Sequence, residues 1–518
     1  MERRVAQLAA DRVPQRIWAR DPTVWKPDPA TPEIRDRLGW LTSSEMMRAQ
    51  AVDLQAFTAD LRHDYPHVVL LGMGGSSLAA IMLRDTFGSA AGHPSLTVLD
   101  STDPRAVADA ARVGAGTPKL YLLSSKSGTT LETDCMFRYF WGLHRDRERD
   151  SGFVAITDPG TALAALADAR RFRRTFLNPA DIGGRYAALS YFGLVPAALL
   201  GIDVARLVDR ALAMARACGP EAAPADHPGL RLGAVLGEAA LAGRDKVTLV
   251  LSRGIASFGL WLEQLIAEST GKEGKGLVPV ADEPLGPPAA YGPDRLFVAL
   301  TLADERDDAT AGRLTALEAA GHPVVRIELR DRYDVGAELF RWPFAVAVAG
   351  AVLGINPFDQ PDVAAAKANT DAVLARGASA GRSPAASAAD LERFLKGVGP
   401  GDYLGLLAYL PPTPGSDQRL AAVQLRLRDR LGAAVTVGYG PRYLHSTGQL
   451  HKGGPPSGRF VLITTPGLDD LPIPGKPFGF ATLEWAQAEA DLLTLQVRGR
   501  PALRIESLDL LETTASAG

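Results

Sequence analysis

From His67 onward the chain alternates short apolar runs with segments of helical spacing, and nearly every run ends at a Gly, Ser, Thr or Asp. The first series is HVVLLG (67–72), SLTVLD (95–100), KLYLLSS (119–125) and GFVAIT (152–157). Helical segments lie between and after them, at Leu78–Asp85, Pro104–Arg112, Thr130–Arg145 and Thr161–Arg170. Strands joined by a helix cannot pair as hairpins; they require right-handed crossovers and hence a parallel sheet. A second series, KVTLVLS, RLFVALT and PVVRIEL, carries helices at Phe258–Ser269 and Ala309–Ala320 and closes with an apolar helix, Pro343–Leu353. A third, within Asp402–Ser507, has strands YLGLLAYL, AAVTVGY and RFVLITT and helices Gln418–Leu431 and Phe480–Leu493. Residues 1–60 read as an amphipathic helical arm broken by the Pro-rich turn Lys26–Pro32.

A chain of 518 residues suggests about three domains. The expected division is an arm (1–60), a first α/β domain (61–217), a second (231–374) and a C-terminal α/β region (390–518). The Pro/Ala-rich stretch Cys218–Leu230 is the expected boundary, and the Ala/Ser/Gly-rich stretch Ala375–Ala389 reads as a flexible connector. The net charge of −3 leaves no electrostatic footprint for nucleic acid or an anionic membrane. The longest apolar stretch, Ala187–Ile202, is too short for a span. The N-terminus MERRVAQLAADR lacks the apolar core of a secretion signal. Two cysteines, Cys135 and Cys218, form no CxxC, so a cytoplasmic chain without structural zinc is expected. Only ten lysines occur among 56 basic residues, and Lys126, Lys272, Lys275, Lys367 and Lys452 fall inside the motifs that follow. In an Arg-preferring chain a retained Lys suggests use of its compact ammonium or adjustable pKa, chance and solubility being the even alternative.

The first strand runs into LLGMGGSSLAA, where Gly72, Gly74 and Gly75 precede Ser76 and Ser77. Such a turn brings backbone amides to an anion at a helix N-terminus. The dinucleotide fingerprint is incomplete, since Ser77 stands where its third glycine belongs, and the turn alone is equally a packing device. The third strand ends in LLSSKSGTTLET. Ser125, Ser127, Thr129 and Thr130 surround Gly128, with Lys126 among them. Capping would account for one or two hydroxyls; four hydroxyls and a lysine beside a Gly-rich turn suit a phosphomonoester at the carboxyl edge of a parallel sheet. GxxxxGK[ST] is absent, so nucleotide hydrolysis is not indicated.

The pair GMGGSS and SSKSGTT resembles the sugar-isomerase (SIS) domain, a flavodoxin-like unit that binds phosphosugars. Three further stretches, DIGGRYAALS (181–190), AESTGKEGKG (267–276) and NPFDQPDVAAAK (356–367), resemble in order the motifs of phosphoglucose isomerases. The five span residues 67–367, about three-fifths of the chain. A C-terminal HSTGQLHKGGP (445–455) is similar to the isomerase half of bacterial transaldolase–phosphoglucose isomerase fusions. A transaldolase barrel needs well over 200 residues upstream and about 60 precede the first strand, so the isomerase alone is expected. The resemblance implies two flavodoxin-like SIS domains with parallel sheets, an N-terminal helical arm and an extra C-terminal α/β region. It further implies interconversion of glucose 6-phosphate and fructose 6-phosphate through a cis-enediol, with no cofactor.

Residue by residue, the resemblance makes Glu268 the base that moves a proton between C1 and C2, a role a carboxylate suits because it can take and return the proton. Arg185 becomes the cation beside the enediolate. Lys367 becomes the ring-opening group and Gln360 a polar substrate contact near the phosphate. Gly75, Ser76, Ser125, Lys126, Ser127, Thr129 and Thr130 become the phosphate site. Gln360 and Lys367 are seven apart, two helical turns, with Pro361 suited to a first turn. Taken without the resemblance, Glu268 reads as a surface residue near a helix end and Arg185 as an Arg in a turn.

The chain departs from the family pattern at the ring-opening histidine. No histidine lies between Glu268 and His322, and the similar motif sits far downstream, so His445 or His451 is the candidate. In the dimeric family that histidine comes from the neighbouring subunit; here the C-terminal region is expected to fold over the crevice and deliver it, within one chain or across a dimer. The alternative is a loop that only caps the C-terminal sheet. A metal route needs clustered ligands; the one HxxxH, His63–His67, contains Pro66, so no metal is expected. The expected partner is a hexose 6-phosphate. A homodimer is left open, as are use of mannose 6-phosphate and a non-catalytic phosphosugar sensor.

Overall fold

The computed structural model describes residues 2–143, 152–376 and 383–516, apart from the side chains of residues 363–368 and 376. Three all-parallel sheets organise the chain. The first contains β1 (His67–Leu71), β2 (Ser95–Leu99), β3 (Lys119–Ser124), β4 (Phe153–Thr157) and β5 (Arg174–Leu177) in the order β2-β1-β3-β4-β5. The second contains β6 (Lys246–Leu251), β7 (Val278–Val280), β8 (Arg295–Leu302) and β9 (Val324–Leu329), ordered β7-β6-β8-β9. The third contains β10 (Tyr403–Ala408), β11 (Ala434–Tyr439), β12 (Gly458–Ile463) and β13 (Ala502–Ile505), ordered β11-β10-β12-β13. Each sheet starts on an inner strand, adds its second strand on one side, then reverses to the other. The reversal opens a crevice at the carboxyl ends of the first and third strands, between β1 and β3, β6 and β8, and β10 and β12.

Each sheet has one more strand than the apolar runs indicate. The additions, β5, β7 and β13, are edge strands of four, three and four residues. Pro279 sits within β7, where an edge tolerates a missing amide. The apolar helix also begins earlier than expected, spanning Val335–Leu353 with Pro343 in its interior. It packs against helices Val204–Ala217 and Pro228–Leu241, which the sequence reading missed. The second of these includes residues 228–230 of the expected boundary. Among the described residues one helical stretch, Arg332–Leu353, has the length and mean hydropathy of a membrane span, and 83% of that window is buried inside the protein.

The N-terminal arm comprises helices Glu2–Ala10, Val13–Trp18 and Trp40–Leu61. It is strapped to the centre by two indoles: the buried Trp25 donates through Nε1 to the carbonyl of Ala347 at 2.7 Å, and the half-buried Trp18 to that of Cys218 at 2.7 Å. The expected connector Ala375–Ala389 lies partly in helix Pro361–Arg376 and partly in helix Ala388–Lys396; residues 377–382 are outside the described residues.

Candidate active site

The loop after β1 continues as a short 3-10 turn, Gly74–Ser76, before helix Leu78–Phe87. Two of its glycines are fixed by close approach. A Cβ on Gly75 would lie 2.2 Å from the carbonyl oxygen of Gly184. Gly74 has φ +55°, and a Cβ there would lie 2.6 Å from the carbonyl oxygen of His445. The first-strand loop is thus pressed between the turn that carries Arg185 and the C-terminal turn Arg442–His445. Beside it, Ser125 directly follows β3 with its hydroxyl 3.1 Å from that of Thr130, and both precede helix Leu131–Leu143. Within the loop, Thr129 donates its amide and its hydroxyl to Ser127 Oγ, and Gly128 adopts φ +65°. Ser76 is buried, and the Ser124 hydroxyl donates to its carbonyl at 2.7 Å. Lys126 is paired with Asp158 and donates to the carbonyl of Ala180.

Arg185 lies at the centre and is 2% exposed. Its Nε donates to Ser269 Oγ at 2.7 Å, its Nη1 to Gln360 Oε1 at 2.7 Å, and its Nη2 to the carbonyls of Pro357 (2.7 Å) and Asp359 (2.9 Å). Nη1 also stands 3.3 Å from Glu268 Oε1. Glu268 is 8% exposed, near the end of helix Phe258–Thr270, where the sequence taken alone suggested a surface position. Its Oε2 accepts from Gln264 Nε2 at 3.0 Å; the same amide donates to the carbonyl of His445 at 2.8 Å. The GGR turn, the glutamate motif, the PFDQ loop and the C-terminal turn therefore meet at one point. Lys272 underpins them. Its Nζ pairs with Asp359 Oδ1 at 2.9 Å and donates to the carbonyl of Asn356 at 2.8 Å. Burial, aided by the nearby Arg185 guanidinium, pushes its pKa down to about 7.

The two candidate histidines part company. The ring of His445 is near the crevice, its Nε2 2.9 Å from Glu132 Oε1, which also accepts from Gln487 Nε2 at 2.7 Å. His451 is not brought to the site. It is 3% exposed and packs among Tyr403, Tyr443 and Phe460, with ring centroids at 6.3, 5.9 and 4.8 Å. Burial holds its pKa well below the usual imidazole range, and Nδ1 lacks a hydrogen-bond partner. The reason is the short helix Gly448–Gly453, which turns position 451 into the core while Gln449, on another face, donates to the carbonyl of Gly271. Pro361 opens helix Pro361–Arg376 as expected; Lys367 lies on it, with its side chain outside the described residues.

Three residues that the reading had not singled out also belong to this arrangement: Gln264, Glu132 and Gln487. Gln264 was within reach, because it lies one helical turn before Glu268 on the same face. The other two pair only through the tertiary fold. Among the described residues no group of three or more His, Cys, Asp or Glu side chains is arranged to hold a metal ion.

A family model for phosphoglucose isomerase matches residues 45–279. A glucose-6-phosphate isomerase from Symbiobacterium thermophilum is 30% identical over 397 residues, covering 65% of this chain and 87% of that protein. One from Enterococcus faecalis is 27% identical over 399 residues, covering 66% and 88%. Among solved structures, a glucose-6-phosphate isomerase from Chlamydia trachomatis superposes with a TM-score of 0.60 at 18% identity, covering 72% of this chain and 86% of that one. A hypothetical protein from Thermus thermophilus gives 0.61 at 22%, covering 72% and 96%. These two likenesses speak to the fold.

Proposed function

Because the chain belongs to the phosphoglucose isomerase family, whose members interconvert glucose 6-phosphate and fructose 6-phosphate, we propose that Glu268 carries the proton between C1 and C2 here. The observation that carries this reading is the buried Glu268–Arg185 pair, 3.3 Å apart, at the junction of the loop after β1 and the PFDQ loop. A phosphosugar sensor has no use for such a pair. Glu268 takes the C2 proton of the open-chain aldose, and the electrons move onto the carbonyl oxygen at C1. The resulting enediolate lies beside the guanidinium of Arg185, which is held in place by four hydrogen bonds and so needs no reorganisation as charge develops. Glu268 then returns the proton to C1 as the C2 hydroxyl passes its proton to the C1 oxygen, which leaves a carbonyl at C2 and a hydroxyl at C1.

Gly75, Ser76, Ser125, Lys126, Ser127, Thr129 and Thr130 hold the phosphate in this reading, and Gln360 joins the substrate side of Arg185. Ring opening falls to His445 and Lys367. His445 is oriented by Glu132, and an imidazole can give and take a proton at working pH. Of the two routes left open by the sequence we take delivery within one chain, because the turn that carries His445 packs against Gly74 of the same chain.

Glu268→Gln tests the assignment. The amide retains shape but cannot accept the proton, so turnover should fall by roughly 10²–10⁴-fold with substrate affinity little changed. In D2O the parent should label C2 of glucose 6-phosphate faster than the variant by the same factor. Labelling at the parental rate removes Glu268 from the base role.

A further inference from the structure

The third sheet has its own crevice, and it lies apart from the site above. Tyr409 directly follows β10 and Thr464 and Thr465 directly follow β12, so the reversal point of this sheet is lined by both. Helix Phe480–Val497 closes it with Glu484 and Trp485, and Asp470 and Glu506 stand at the rim. The cavity measures about 130 Å³. A cavity of roughly that size takes a molecule of about six heavy atoms.

The lining carries more acids than bases. Three acids, Asp470, Glu484 and Glu506, face one base, Arg504, whose Nη atoms are engaged by Glu506 Oε1 (2.8 Å), Thr464 Oγ1 (3.1 Å) and the carbonyl of Ser383 (2.6 Å) while its Nε has no partner. Glu484 is 3% exposed and its Oε1 has no hydrogen-bond partner. Burial raises its carboxyl well above the ordinary range, and Asp103 on the first domain adds to this, with Arg105 opposing it. A buried acid without a partner is costly, and a compact cation with N–H donors is the group that would satisfy it. Tyr409 and Trp485 also line the cavity, and an ammonium is attracted to an aromatic face. We propose that this cavity binds a small ligand through its ammonium group.

Both walls of the cavity lead to His445. The hydroxyl of Tyr409 is 3.0 Å from that of Tyr443, two residues before His445. Glu484 lies one turn before Gln487, which holds Glu132, the partner of His445. A ligand seated here therefore bears on the histidine turn from two sides.

The test is calorimetric titration of the full chain with ethylammonium chloride and with ethanol, ionic strength matched with sodium chloride. The expected result is saturable binding of ethylammonium at least about tenfold tighter than ethanol, a gap of about 1.4 kcal/mol. Glu484→Gln should weaken ethylammonium by about tenfold, and Glu506→Gln, a rim change that leaves the core intact, by roughly threefold. Ammonium chloride is the third probe: if it binds as tightly as ethylammonium, the inorganic ion is the natural occupant and the recognition chemistry stands. Equal binding of ethanol and ethylammonium, or parental affinity in both variants, overturns the proposal. The readout is binding alone, so it stands or falls separately from the proton-transfer assignment.

Discussion

Replacing Gly75 by Ala probes the contact on which the site's geometry rests. The added Cβ would lie 2.2 Å from the carbonyl oxygen of Gly184 and 2.9 Å from the amide nitrogen of Arg185. An ordinary contact is roughly 3.4 Å or longer, so the two loops must part by about 1 Å. Neither neighbour is a flexible side chain that could swing aside; both are backbone. Overpacking of this kind costs about 1–3 kcal/mol, which at roughly 2–4 °C per kcal/mol lowers Tm by about 2–12 °C. The catalytic cost is larger. Arg185 is moved with its own backbone, and a 1 Å misplacement of a positioned group costs on the order of 10²-fold. The assay couples fructose 6-phosphate conversion to a glucose-6-phosphate dehydrogenase and reads kcat/KM beside Tm. The control is Gly184→Ala, in the same contact, where nothing lies within 4 Å of the added Cβ; it should stay within about twofold of the parent. A Gly75→Ala variant with at least half the parental kcat/KM, or a Gly184→Ala variant that falls as far, refutes the reasoning.

Three further outcomes are expected. His445→Ala should slow reaction of the cyclic substrate while sparing an open-chain analogue, whereas His451→Ala should lose roughly 2–4 kcal/mol of stability from a cavity among Tyr403, Tyr443 and Phe460, with the two substrates affected alike; equal losses on both substrates for His445→Ala sink its ring-opening role. The double change Ser125→Ala, Thr130→Ala should raise KM with kcat nearly retained, since a remote phosphate is held equally in ground and transition states; an unchanged KM counts against this loop. Folding lowers the Lys272 pKa to about 7, so between there and the ordinary lysine value the unfolded chain binds more protons than the folded one and stability rises with pH. Denaturant midpoints at about pH 7 and about pH 9.5 should show that rise in the parent and its loss in Lys272→Met.

What the sequence shows plainly is the central strands, because β1, β3, β6, β8 and β10 are buried on both faces and read as continuous apolar runs. The edge strands do not announce themselves. β5 starts on an arginine after Arg170, Arg171 and Arg173, and β7 is three residues containing a proline, so neither has a pattern that differs from loop. Pro343 misled in the other direction, since a proline reads as a helix start until packing shows the helix continuing through it. At the site, Arg185, Glu268 and Gln360 were legible as motif residues, but their mutual contacts were not. The pairing of His445 with Glu132 joins positions 313 apart in the chain, and the burial of His451 depends on which face of a six-residue helix meets Tyr403. Side-chain pattern along one strand or helix carries no trace of either.

The C-terminal turn that seats its backbone against Gly74 has a consequence for when activity can first arise. Gly74 and the hydroxyl loop are made early in synthesis, and His445 emerges about 370 residues later than Gly74; at the usual 5–20 residues per second the ribosome needs roughly 20–75 s to cover that interval. Throughout it the nascent chain can hold the phosphate loops, and from the midpoint also Glu268, without the wall that the turn supplies. On the ring-opening role proposed for His445, a chain that stops before residue 445 carries Glu268 and Arg185 without that histidine, so such a fragment should handle the open-chain sugar better than the cyclic one.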